Sequence, residues 1–327
     1  MFKVRCKGRA ICDKMLYIRK SNALSIARVP ASLNRNGVPM TIATHKSVQC
    51  ISPAGLHKMA YQEWGDPHNP NVLLCLHGVT RVSDDFDQLA RALCDTYRVV
   101  CPDVVGRGRS DWLRDPQYYV LPQYLNDVVI LLARLNAETV DLVGTSMGGL
   151  IGIGLASLPD NPLRKLVLND VGPTLNADAM GRIGEYIGAD MRFPTFDEAA
   201  AYVRAISASF GPHTDAEWRK LAADVLHQNA GGEWTRHYDL KLAEPFKSTT
   251  PETFKLSEAL LWNAYRAITC PTLLVRGAQS DLLSSETAQL MTQCGPRAKL
   301  VELAGVGHAP TLLHTDQIEV VSDFLLG

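Results

Sequence analysis

The residues best placed to do chemistry are a serine and the two glycines around it. Residues 144–148 read Gly-Thr-Ser-Met-Gly, directly after the apolar run 140–143 and directly before the glycine-rich apolar run 149–156. In this G-x-S-x-G pattern a sharp strand-to-helix turn strains the serine backbone, and only small neighbours leave room for it. The helix start brings free N–H groups and positive dipole beside the hydroxyl. The pattern predicts Ser146 as a nucleophile; the alternative is a tight glycine turn with a solvated serine.

A serine nucleophile needs a base and an acid that orients the base, because an alcohol is weak at its own pKa. The runs 271–277 and 299–303 read as buried strands, and they are followed by Asp281 and by His308 after Gly-Val-Gly. Open parallel sheets place their sites at the carboxyl ends of the strands. We therefore predict a triad of Ser146, His308 and Asp281.

A second aspartate competes for the position of the acid. The run 166–169 is another strand-like segment, and it ends at Asp170. It directly follows the helix of the serine, so Asp170 could also lie near His308. We favour Asp281 and keep Asp170 as the alternative acid; otherwise Asp170 is a structural carboxylate that holds its loop.

Acyl transfer also requires donors for the oxyanion of the tetrahedral intermediate, each of which contributes about 3–4 kcal/mol. One candidate is the backbone N–H of Met147, directly after the serine. The other is the N–H of Val79, which follows the strand-like run 71–76 and the pair His77-Gly78. We expect His77 to brace this loop through hydrogen bonds and not to act as a base.

These motifs together resemble those of the α/β-hydrolase superfamily, over about residues 46 to 327. The matching segments are His77-Gly78, residues 103–110 (DVVGRGRS), residues 144–149 (GTSMGG), residues 277–281 (GAQSD) and residues 305–308 (GVGH). The resemblance implies a Ser-Asp-His triad and an oxyanion hole of two backbone amides. It is specific for the fold and poorly specific for the substrate. Dehalogenases and epoxide hydrolases resemble it too, but with aspartate at the elbow, so Ser146 disfavours both.

Composition excludes several classes of protein. The chain is 46% hydrophobic and 20% charged, which suits a globular fold with a sizeable core. Its formal net charge of −1 argues against a nucleic-acid partner. No apolar run approaches the roughly 20 residues of a membrane span. The eight cysteines form no C-x-x-C pair, so neither a metal site nor a disulfide framework is indicated, and a cytoplasmic location fits best.

The predicted architecture is an α/β-hydrolase fold, a mostly parallel sheet covered by helices on both faces, with an inserted helical cap. Residues 40–172 and 263–327 form the core in this interpretation, with an opening antiparallel pair of strands at 46–52 and 57–64 and a covering helix at 121–135. Residues 173–262 form the cap, for which the sequence predicts helices, one of them over 215–229, and no strand. Residues 1–39 hold nine Lys or Arg and one acid, a net charge of +8, and we expect a poorly ordered extension. It is either a basic leader or extra coding sequence before a start at Met40.

The sequence thus predicts a serine hydrolase that cleaves a carboxylic ester of a small, mainly apolar substrate, with no metal or organic cofactor. A carbon–carbon bond hydrolase of the meta-cleavage-product type remains an alternative. Those enzymes commonly carry tryptophan after the histidine, where this chain has Ala309. A non-catalytic ligand-binding protein of the same fold is the alternative from another class. The sequence does not indicate an oligomeric state.

Overall fold

The computed structural model describes residues 42–247 and 250–327. Within these ranges the chain forms ten strands, ten α-helices and four short 3₁₀ helices. The strands are β1 (Thr44–Ser52), β2 (Gly55–Trp64), β3 (Val72–Leu76), β4 (Arg98–Pro102), β5 (Val140–Thr145), β6 (Leu163–Asn169), β7 (Leu226–Gln228), β8 (Trp234–Arg236), β9 (Thr272–Gly277) and β10 (Lys299–Leu303). The prediction made for residues 1–39 lies outside the described residues.

The helices alternate with the strands through most of the chain. They are α1 (Asp87–Leu93), α2 (Leu121–Leu135), α3 (Met147–Ala156), α4 (Ala177–Ile187), α5 (Phe196–Ile206), α6 (Asp215–Val225), α7 (Glu244–Lys247), α8 (Pro251–Ala267), α9 (Ser285–Met291) and α10 (Thr315–Leu326). Helix α2 shows how local sequence sets the bounds. It has a proline in its first turn and ends at Leu135, where Asn136 caps it with a left-handed φ of 52°.

Eight strands form the main sheet, in the order β1-β2-β4-β3-β5-β6-β9-β10 within the described residues. Strand β2 is antiparallel to both β1 and β4, and the remaining neighbours are parallel. The predicted opening antiparallel pair and parallel core are both confirmed. Strands β5, β6 and β9 are adjacent, so their carboxyl ends meet at one edge of the sheet.

Both faces of the sheet are covered, as the apolar strands predicted. In β3, Val72, Leu74 and Leu76 point into a core that includes residues of α2 and α3, whereas Leu73 and Cys75 point into a second core that includes residues of α1 and α10. Alternate side chains of a strand point to opposite faces, so a strand buried on both faces must be apolar throughout.

The segment between β6 and β9 carries α4 to α8 and a short antiparallel pair, β7 with β8. The sequence analysis expected no strand here and continued the helix of residues 215–229 to Asn229; that expectation was wrong. Helix α6 ends at Val225, and residues 226–228 pair with β8. Helix α8 crosses the predicted boundary at residue 263 and packs against α3. The division into core and cap stays a prediction.

Candidate active site

Ser146 occupies a strained turn between β5 and α3. Its φ of 51° and ψ of −115° lie outside the regions that L-residues favour. A Cβ on Gly144 would lie 2.5 Å from the carbonyl of Gly148, and a Cβ on Gly148 would lie 2.0 Å from the carbonyl oxygen of Leu76. Any larger residue at either position would collide with backbone, which is the physical reason for the G-x-S-x-G spacing.

The structure brings Ser146, His308 and Asp170 into one hydrogen-bonded chain. His308 Nε2 lies 2.9 Å from Ser146 Oγ, and His308 Nδ1 lies 2.7 Å from Asp170 Oδ2. A carboxylate is an acceptor, so Nδ1 carries the proton and Nε2 is free to accept one from the serine hydroxyl. This is the arrangement that general-base activation of a serine requires.

The structure does not bring Asp281 to His308; Asp170, the alternative acid, lies at hydrogen-bond distance from the histidine instead. Asp281 forms an ion pair with Arg182 at the surface, where both side chains are 57% exposed. Asp170 directly follows β6, the neighbour of the serine's strand β5, whereas Asp281 lies four residues beyond the end of β9. Those extra residues carry the Asp281 carboxylate out to solvent.

The loop after β9 contributes to the site through other groups. Ser280 Oγ donates to Asp170 Oδ2 at 2.6 Å, and the Gly277 N–H donates to Asp170 Oδ1 at 2.9 Å. Asp170 is fully buried, and these donors compensate the loss of hydration of its carboxylate. The sequence does not predict this contact of Ser280, because a serine next to a candidate acid has no distinguishing pattern.

The predicted oxyanion donors, the amides of Val79 and Met147, belong to the two segments that border Ser146. A Cβ on Gly78 would lie 3.8 Å from Ser146 Cβ, so the loop after β3 contacts the nucleophile. Within residues 42–247 and 250–327, neither the Val79 N–H nor the Met147 N–H donates to a protein acceptor. Two free N–H groups adjoining a serine can stabilise an oxyanion.

His77 braces this loop. Its Nε2 accepts from the Val104 N–H at 2.9 Å, so its Nδ1 carries the proton and donates to Gly78 O at 2.7 Å. Burial lowers the pKa of His77, which keeps the ring neutral. Both ring nitrogens are occupied, in agreement with the bracing role expected from the sequence.

Arg107 is a buried positioning residue that the sequence analysis did not single out. Its Nε donates to Val79 O at 2.9 Å and its Nη1 to Val105 O at 2.7 Å, while Nη2 lies 3.3 Å from Met147 Sδ. One guanidinium therefore contacts both residues whose amides adjoin Ser146. Residues 103–110 resemble a motif of the α/β-hydrolase superfamily, but nothing in their sequence pattern indicates this contact of Arg107.

One cluster among the described residues could supply three metal ligands, namely Cys50, His57 and Asp127. It lies on β1, β2 and α2 and shares no residue with the triad. Asp127 already accepts from His57 Nε2 at 2.9 Å and from Gln123 Nε2 at 2.8 Å. Burial and the Asp127 carboxylate raise the pKa of Cys50 to about 12, so its sulfur is a thiol at neutral pH. His57 Nε2 and Asp127 are thus already hydrogen bonded within the protein, whereas His57 Nδ1 is buried without a partner among the described residues.

The chain is similar to known hydrolases over most of its length. The sequence model of the "Alpha/beta hydrolase family" matches residues 73–323. The chain is 58% identical over 283 residues to a 3-hydroxybutyrate-oligomer hydrolase of Cupriavidus necator. This match covers 86% of this chain and 97% of that protein. It is 25% identical to the esterase YbfF of Escherichia coli, over 74% of this chain and 87% of that one.

A solved structure shows the same fold. An α/β hydrolase from Novosphingobium aromaticivorans is 35% identical, with a TM-score of 0.77, and the match covers 87% of this chain and 99% of that one. None of the helices in the described part of the chain is long and apolar enough to cross a membrane. The match to most of the chain and the shared fold establish that this protein is a hydrolase of the alpha/beta hydrolase family.

Proposed function

We propose that this protein is a serine esterase that hydrolyses the ester bonds of 3-hydroxybutyrate oligomers. Ester hydrolysis is the activity expected from the sequence, and the names of the two relatives support it. The observation that carries the residue assignment is the continuous chain from Ser146 Oγ through His308 to the buried Asp170 carboxylate. The substrate is taken from the relative at 58% identity.

In the proposed first half-reaction, Ser146 Oγ attacks the ester carbonyl while His308 Nε2 takes the hydroxyl proton. Asp170 holds the imidazole in the required tautomer and stabilises the imidazolium. The oxyanion of the tetrahedral intermediate accepts hydrogen bonds from the amides of Val79 and Met147. His308 then returns the proton to the leaving oxygen, and the alcohol departs from an acyl-enzyme.

In the second half-reaction, water attacks the acyl-enzyme and His308 acts again as base. The collapse of the second intermediate releases the carboxylic acid and restores the Ser146 hydroxyl. One water is consumed for each ester bond, and the products are one acid and one alcohol. No step requires a metal or organic cofactor.

We also propose that the residues inserted between β6 and β9 act as a cap over the serine. Three bonds support this. Ser209 Oγ donates to His308 O at 2.8 Å, the Gly307 N–H donates to Ser209 O at 2.7 Å, and Arg81 Nη1 donates to Leu221 O at 3.3 Å. The insertion is thus bonded to the loops that carry the base and the Val79 amide, where a cap would exclude water.

A cytoplasmic location is part of the same proposal. The six cysteines in the described part of the chain are free: Cys50, Cys75, Cys94, Cys101, Cys270 and Cys294. Four of them are buried among packed side chains. Free thiols suit a reducing compartment.

The test combines a substrate assay with a covalent probe. The wild type should release 3-hydroxybutyrate from its linear dimer and trimer and should hydrolyse p-nitrophenyl butyrate. Ser146→Ala should lose both activities and keep the far-UV circular dichroism of the wild type. A fluorophosphonate should label the wild type at Ser146. Labelling elsewhere, or turnover by Ser146→Ala, would contradict the residue assignment, and cleavage of a meta-cleavage product instead of esters would favour the carbon–carbon alternative.

A further inference from the structure

A small cavity adjoins the candidate active site. It measures about 50 Å³, and its lining includes Thr80, in the loop after β3, and Phe210, in the inserted segment. Ser209, the neighbour of Phe210, bonds to both Gly307 and His308. Thr80 directly follows Val79, the residue whose amide is the proposed oxyanion donor of this loop. The cavity is therefore lined by the loop after β3 and by a segment that is bonded to the loop of the base, and it has room for a small polar group.

Arg236 lines this cavity with its hydrogen-bonding capacity largely unused. The residue is 5% exposed, and its Nη2 donates to Ala189 O. Its Nε and Nη1 are buried and have no hydrogen-bond partner among the described residues. The nearby acid Asp190 binds Arg192 instead. A buried guanidinium without a carboxylate carries a large desolvation cost.

Arg81, the other arginine that lines the cavity, has a counterion and a fully hydrogen-bonded guanidinium. Arg81 binds Asp85 through two nitrogens, with Nε 2.8 Å and Nη2 2.6 Å from the carboxylate oxygens. Its Nη1 donates to Leu221 O. All three nitrogens of Arg81 are therefore occupied within the protein, whereas Arg236 retains two that face no acceptor.

A phenol beside Arg236 is also without a partner. Tyr238 lines the cavity, its ring centroid lies 5.1 Å from the Arg236 guanidinium carbon, and its hydroxyl is buried and unbonded among the described residues. Burial raises the pKa of Tyr238 and of Tyr186, another lining residue, so both phenols stay neutral at physiological pH. The cavity thus presents N–H and O–H donors together with a positive charge that the rings of Tyr202 and Tyr238 contact at 5.9 and 5.1 Å but that no carboxylate of the described residues pairs with.

We propose that Arg236 and Tyr238 bind the free carboxylate of the substrate. A carboxylate accepts hydrogen bonds only, and a guanidinium fork matches it in shape and charge. This inference rests on the proposed function, because an oligomer of a hydroxy acid has one carboxylate end and neutral esters along its length. Binding that end would place a nearby ester at Ser146, and hydrolysis would proceed from the acid end of the chain.

Two dimers of 3-hydroxybutyrate test this, one with its free carboxylate and one with that group converted to a carboxamide. The wild type should show a higher kcat/KM for the acid. Arg236→Gln should lower the ratio of the two kcat/KM values about 10- to 100-fold, mainly through KM of the acid, since a hydrogen bond to a charged group is lost. Arg236→Lys keeps the charge without the fork and should lie between. Arg219→Gln, which removes an exposed arginine of α6 that pairs with Asp197, should keep the wild-type ratio.

Three results would overturn the inference: no preference of the wild type for the acid, an equal loss on both dimers in Arg236→Gln, or the same change in Arg219→Gln. If the wild type cleaves p-nitrophenyl butyrate but neither dimer, the proposed substrate fails. In that case, inhibition of p-nitrophenyl butyrate hydrolysis tests separately whether the cavity binds a carboxylate. Stronger inhibition by 3-hydroxybutyrate than by 3-hydroxybutyramide, abolished in Arg236→Gln, supports carboxylate binding, and equal inhibition by both refutes it.

Discussion

Asp170 Oδ2 lies 2.7 Å from His308 Nδ1, although 138 positions separate the two residues in the chain. The contact forms because β6 is hydrogen bonded to both β5 and β9 in the sheet, and the loop after β10 folds back over their ends. Asn169 stabilises this position of the loop, because its Nδ2 donates to Thr145 Oγ1 at 3.0 Å and to Pro310 O at 2.9 Å.

The two aspartates give a matched pair of variants. Asp170→Asn should reduce kcat for p-nitrophenyl butyrate about 10⁴-fold, because the amide permits the wrong imidazole tautomer. Asp281→Asn should stay within about twofold of the wild type, because it removes only an exposed ion pair. Steady-state kinetics of both variants decide between them. A large loss in Asp281→Asn with a small one in Asp170→Asn would return the acid to the position expected from the sequence.

Ser280 should act as a positioning residue through Asp170. Ser280→Ala removes a hydroxyl that donates to the buried carboxylate at 2.6 Å, and kcat should fall about tenfold with little change in KM. Ser280→Thr retains the hydroxyl and should restore most of the loss. The exposed Ser285→Ala is the control. If Ser280→Ala raised KM and left kcat alone, a role in substrate contact would replace the one assigned here.

Arg107 should affect the reaction through the two oxyanion amides. Arg107→Lys loses the fork that joins Val79 O to Met147 Sδ, and kcat should fall about tenfold or more while KM changes little. Arg109→Lys in the same loop alters an ion pair with Asp84 at the surface and should remain near the wild type. Thermal unfolding of both variants separates misplacement from loss of fold. Equal kinetics for the two lysine variants would argue against the positioning role.

Two histidines of the inserted segment should make the fold sensitive to acid. Burial lowers the pKa of His227 and of His237 below the ordinary 6.5, and their rings lie 4.9 Å apart. Below pH 6.5 the unfolded chain binds more protons at these two histidines than the folded chain does. Their contribution to the free energy of unfolding is therefore complete at higher pH and is lost as the pH falls. Asp224 acts in the opposite sense, because burial raises its pKa to about 6.

Urea unfolding from about pH 7.5 to about pH 5.5 measures this effect. The double variant His227→Gln, His237→Gln should lose less unfolding free energy over that interval than the wild type. His68→Gln, an exposed histidine in the loop before β3, is the control and should follow the wild type. An unchanged pH dependence in the double variant would show that the two buried rings are not responsible.

Local sequence was sufficient for much of the fold. The apolar runs predicted the strands because a strand covered on both faces needs apolar side chains at every position, and helix α2 was predicted with its observed ends. The G-x-S-x-G turn is equally local, because the collisions around Gly144 and Gly148 involve backbone that this topology always brings together. The family and the hydrolase activity followed from such motifs.

The proposed acid and the proposed carboxylate-binding cavity depend on the tertiary structure alone. Asp170 and Asp281 each follow a parallel strand, and only the positions of β6 and β9 and the length of each loop determine which carboxylate meets His308. Arg236 has no distinguishing sequence context. Two nitrogens of its guanidinium have no hydrogen-bond partner among the described residues. A buried charge without a counterion can be recognised only from the packing of the elements around it.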